Sequence, residues 1–92
     1  MNHPPHPIWK EYPGLVWSNP NASDTVRIRA ALVRPHFDLF LDLAQVFGLE
    51  RLQREWAIVA SEDDVEVGRA RPETERLLAQ LAKGAALAAA RH

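Results

Sequence analysis

Cysteine is absent from these 92 residues. That removes disulfide staples, thiolate zinc sites and thiol nucleophiles together, and it suits a reducing compartment. Neither sign of charge dominates, with 11 Lys and Arg against 12 Asp and Glu, a formal net charge of −1 and a pI near 6.4. Gripping phosphate without regard to sequence needs a clustered basic surface, so nucleic acid is not the expected partner. Long apolar runs are missing as well, none approaching the roughly 18 residues that span a bilayer. The polar, proline-rich start from Met1 to Pro7 has no basic region followed by an apolar run, so neither a signal peptide nor a membrane anchor is expected. The expected location is the cytoplasm.

Signatures of chemistry are equally scarce. His3, His6, His36 and His92 make no pair at metal-ligand spacing, and no glycine-rich phosphate loop is present. Ser18, Ser23 and Ser61 have neither a glycine elbow nor a neighbouring base. Asp38 and Asp42 stand one helical turn apart, but no further ligand or acid/base partner joins them. A non-enzyme without metal or cofactor is the expectation.

The composition, 47% hydrophobic and 25% charged, is that of a globular chain. A single domain of this length buries only about 60% of its unfolded surface. Five of the seven prolines, Pro4, Pro5, Pro7, Pro13 and Pro20, crowd the start, where their missing amide donors exclude a regular helix or central strand. This arm, residues 1–22, nevertheless carries Ile8, Trp9, Tyr12, Leu15, Val16 and Trp17, and such an aromatic load needs a surface to lie on. It either straps across its own helices or anchors on another protein.

Residues 23–92 read as a helical domain. After the turn signal Asn19-Pro20-Asn21, Ser23 or Asp24 caps a helix running to about Arg34, with Ile28, Ala31 and Leu32 on its apolar side. Arg27 and Arg34, two turns apart, share a rough face, either as capping charge or as partner contacts. Pro35 suits the first turn of a second helix to Phe47. There Phe37, Phe40, Leu41, Ala44 and Phe47 recur at helical spacing, while Leu39, Leu43 and Val46 fill most of the circumference. Asp38, Asp42 and Gln45 leave a narrow polar stripe, so this helix is expected to be central and buried on most sides.

Gly48 reads as a left-handed cap, and Leu49, Leu52, Trp56 and Val59 then stripe a third helix to about Ser61. Its pairs Glu50 with Arg54 and Arg51 with Glu55 read as surface ion pairs. Glu62, Asp63, Asp64 and Glu66 read as a solvated loop or a docking patch for a basic partner. Arg71-Pro72-Glu73 then opens a last helix from Pro72 to about Ala90, with Leu77, Leu78, Leu81 and Ala85 as its seam. Gly84 weakens that helix, and its long alanine-rich face allows close helix approach, which would suit self-association or the docking of a partner. The fold expected is all-α, a small four-helix, bundle-like domain behind an irregular Pro/aromatic arm, with short connections favouring antiparallel neighbours.

Two functional readings come from the residues themselves. Leu43 to Leu49 has a small residue and a glycine spaced as at a helix-turn-helix. However, Arg54 falls where a recognition helix needs a buried aliphatic residue, and Glu50 and Glu55 would repel phosphate. The other reading is a homo-oligomeric structural protein.

A resemblance adds a third. The block Ile28-Arg29-Ala30-Ala31-Leu32, Arg34-Pro35-His36-Phe37, Phe47-Gly48-Leu49-Glu50-Arg51-Leu52 and Arg54-Glu55-Trp56-Ala57, extending loosely through Arg71-Pro72 and Leu77-Leu78, resembles a group of small helical bacterial proteins. They are found beside nucleotidyltransferase-type (AbiEii-like) toxins and are thought to be their antitoxins. The resemblance implies a non-catalytic protein that binds such a toxin and restrains it, by covering its active site or holding it inactive. For that role the candidate partner contacts are Trp9, Tyr12, Leu15, Trp17, Arg27 and Arg34.

Overall fold

The computed structural model describes residues 6–12, 22–62 and 64–90. A 3-10 turn, Pro7–Glu11, is followed by α1 (Asp24–Leu32), α2 (Phe37–Phe47), α3 (Leu49–Ala60) and α4 (Val65–Ala90), with no strand among the described residues. The expected all-α, four-helix class therefore holds. The turn expected at Asn19 to Asn21, and residues Leu15, Val16, Trp17 and Asp63, lie outside the described residues.

Ser23 caps α1 as expected: its hydroxyl oxygen accepts the Val26 amide at 3.3 Å, and Asp24 meets the positive end of the helix dipole. The helix stops at Leu32, short of Arg34, with Val33 at φ −93°, ψ 4°. Pro35 is the physical reason, since a proline disfavours helical backbone in the residue before it. Nor does Pro35 open α2. His36 is extended at φ −149°, ψ 129°, so the helix begins only at Phe37.

Gly48 is the whole connection between α2 and α3. Its φ of 90° with ψ of 140° is backbone that side chains other than hydrogen rarely tolerate. The positive φ expected of a cap is present, but ψ places it outside the left-handed helical well. Its amide bonds the Ala44 carbonyl at 2.9 Å, so one helix closes and the next starts on the following residue.

The largest correction concerns α4, which starts at Val65 and carries Pro72 inside it. The Asp64 carboxylate accepts the Glu66 amide at 2.8 Å and the Asp64 carbonyl accepts the Gly68 amide at 3.0 Å. Part of the acidic run expected to be a loop is thus a capped helix start. An interior proline removes one bond, here to the Gly68 carbonyl, and costs about 3 kcal/mol. Burial holds the two halves together, with Val67 and Ala70 packed before Pro72 and Thr74, Leu77 and Leu78 after it. Arg71 Nη2 adds a bond to the Ala60 carbonyl at 3.0 Å.

Ile28, Leu32, Phe40, Leu43, Leu52 and Thr74 are fully enclosed. The Thr74 hydroxyl donates to the Leu32 carbonyl at 2.6 Å, satisfying a carbonyl of the last turn of α1 that has no partner within its own helix. The central helix is α3, which packs on α1, α2 and α4, rather than α2. Centrality also redirects its charges. Glu55 is buried and pairs with Arg29 of α1 at 2.8 Å, while Arg51 lies 5.2 Å over the Phe47 ring and donates to Thr25 Oγ1 at 3.1 Å. The expected pairs Arg51 with Glu55 and Glu50 with Arg54 do not form among the described residues.

Candidate functional site

The described part of the arm lies on its own helices. Trp9 is 4% exposed, stacks on Phe47 at 5.7 Å between centroids, and donates its indole N–H to Asp24 at 2.7 Å. Asp24 also accepts the His6 amide at 2.9 Å. The Tyr12 hydroxyl donates to Asp42 of α2 at 2.5 Å. That bond, with partial burial and the nearby charges of Asp42, Glu11 and Asp38, pushes the phenol up to about 12.

The four candidate partner contacts among the described residues do not share one open face. The Trp9 indole faces its own core, and only part of Tyr12 is accessible. Arg27 is buried, its Nε donating to the Ala22 carbonyl at 3.0 Å, whereas Arg34 is exposed beyond the end of α1, so the two share no open face. Leu15 and Trp17 lie outside the described residues.

The alanine-rich face of the last helix, read from the sequence as open to self-association or partner docking, forms one wall of a concavity of about 650 Å³ between α2, the start of α3 and the second half of α4. One wall holds Phe37, Leu41, Ala44 and Leu49; the other holds Leu81, Gly84, Ala85 and Ala88. Among the described residues, Gln45 and Gln80 are the only polar side chains lining it. Its origin is a taper along α4, whose core-facing stripe runs through Leu77, Leu78 and Leu81 and then shrinks to Gly84, Ala85 and Ala88. The bulk missing from α4 is the groove. A methyl group at Gly84 would meet nothing within 4 Å.

On the opposite wall Phe37 remains 42% exposed, and past the groove Leu87 is 55% exposed. The sequence held one cue. A helix apolar on nearly all sides should be buried on nearly all sides, yet α2 fully buries only Leu39, Phe40 and Leu43.

Charge surrounds this groove without entering it. Asp38 follows Phe37 and Glu50 follows Leu49; both are exposed and neither forms an ion pair among the described residues. Lys83 points away from Leu81, Ala85 and Ala88 but stands only about 60° around α4 from Gln80, so it marks the outer margin of that wall while the acids flank the α2 and α3 side. Among the described residues no group of three His, Asp or Glu could hold a metal ion, and no helix is long and apolar enough to cross a membrane. What the groove can do chemically is exclude water from another apolar surface. Comparison with known proteins finds no family model, curated protein or solved structure that matches this chain.

Proposed function

We propose that this chain is a non-catalytic protein-binding module of the cytoplasm, an antitoxin-like companion that binds a nucleotidyltransferase-type toxin and restrains it. The observation that supports binding is the open side of α2, where Phe37, Leu41 and Ala44 face a groove rather than a helix. A contiguous apolar concavity on a small domain is the kind of surface another chain covers. The nature of the partner rests on the resemblance carried by residues 28–57. A helix-turn-helix regulator has less support, because α2 and α3 are joined by Gly48 alone, where that motif uses a turn of about three to four residues.

The test is co-expression with a nucleotidyltransferase-type (AbiEii-like) toxin from the same genome, followed by sizing of the complex. The reading expects a stable one-to-one complex and growth of cells that the toxin alone arrests. Separate elution with undiminished toxicity contradicts it.

A further inference from the structure

We infer that the groove between α2 and α4 receives an amphipathic helix of the partner protein, with bulky apolar anchors flanked by Lys or Arg. This rests on the protein-binding reading above and names the chemistry of what that site takes. Three observations lead to it. The walls are matched in length, residues 37–45 of α2 and 80–88 of α4 each spanning about 12 Å, or two to three turns of an occupant. The walls are also helical, so beyond the first-turn amides at Phe37 and Leu49 their amides are bonded along each helix, and Gln45 and Gln80 offer the polar side-chain atoms. An extended segment would leave its own amides and carbonyls unpaired against such a surface, whereas a helix arrives with them satisfied.

Charge is the third observation. Asp38 and Glu50 stand exposed beside Phe37 and Leu49 without ion-pair partners among the described residues, and the lining itself holds no charge. Basic residues flanking the apolar anchors complete that arrangement, steering approach and fixing orientation while the anchors fill the space over Gly84 and Ala85.

The experiment titrates the full chain into labelled helical peptides of about 18 residues and follows anisotropy. One peptide carries Leu at i, i+3, i+4 and i+7 with Lys elsewhere; a second replaces Lys with Glu; a third scrambles the Leu/Lys order. The Lys peptide should bind about tenfold more tightly than either control at low salt, with the advantage shrinking as salt rises. Asp38→Asn with Glu50→Gln should remove most of the preference for Lys over Glu. Ala85→Leu, which fills the groove, should weaken the Lys peptide about tenfold while circular dichroism stays native. Equal binding of all three peptides, or full binding by Ala85→Leu, overturns the inference. So does a dimer that Ala85→Leu dissociates, which would make the groove a self-interface. A toxin complex that survives Ala85→Leu would leave the companion reading standing and remove only the groove from it.

Discussion

The indole N–H of Trp9 and the carboxylate of Asp24 lie 2.7 Å apart, tying a proline-rich arm to the first turn of α1 across 15 positions of sequence. The same Asp24 oxygen holds the His6 amide, and the Trp9 ring lies on Phe47 at the end of α2. The arm thereby closes the core along one flank of α2, with Gln45 bordering both the arm and the groove. Trp9→Ala should destabilise the fold by about 3–5 kcal/mol, a large share of the roughly 5–15 kcal/mol typical of native proteins. Asp24→Ala, which strips two donors of their acceptor, should cost about 1–3 kcal/mol. Urea denaturation measures both. Partner affinity per folded molecule should be unchanged, because the indole faces inward.

Tyr12 is the only tyrosine in the chain, so its ionisation can be followed in the ultraviolet without assignment. Bonded to Asp42, it should titrate near 12 rather than at its ordinary value near 10. Since the fold raises this pKa, the folded state holds the proton longer than the unfolded state. The associated stability is complete below pH about 10 and is lost as pH rises toward about 12. Asp42→Asn should move the midpoint back toward 10. A midpoint near 10 in the unsubstituted protein would show that the bond does not form.

The glycines should respond in opposite directions. Gly48→Ala forces a side chain into a backbone conformation at φ 90° and should cost about 1–3 kcal/mol. Gly84→Ala places a methyl in open space within α4 and should stabilise by about 1 kcal/mol. Thermal melts of the two variants side by side check this. A stabilising Gly84→Ala would also mean that the unfilled wall of the groove is kept at the expense of stability.

Thr74→Val preserves shape but removes the donor to the Leu32 carbonyl, leaving that buried acceptor unsatisfied. A loss of about 1–3 kcal/mol is expected. Denaturant midpoints at equal slope decide the Thr74 prediction.

Periodicity made α2 and α3 legible, because Phe37 to Phe47 and Leu49 to Val59 each carry uninterrupted apolar spacing and Gly48 separates them. Boundaries near proline were less so. Arg71-Pro72-Glu73 satisfies every local rule for a helix start, yet Val67 and Ala70 find burial upstream and carry the helix back to Asp64. Arg51 and Glu55 show the same limit in charge. Their spacing suits a surface pair, but the position of α3 between α1 and α4 gives each a partner on α1. The groove was half legible. The alanine-rich face of the last helix reads as a surface open to close approach, but nothing in its spacing says that α2 faces it with Phe37 and Leu41.

Hydrogen exchange of the chain alone and with a co-expressed nucleotidyltransferase-type toxin, the partner proposed above, tests the central claim most directly, since it reports every described helix at once. The account predicts slowed exchange at residues 37–45 and 80–90, the two walls of the groove and the exposed end of α4. Slowing confined to residues 6–12 and α1, with both groove walls unchanged, would contradict it.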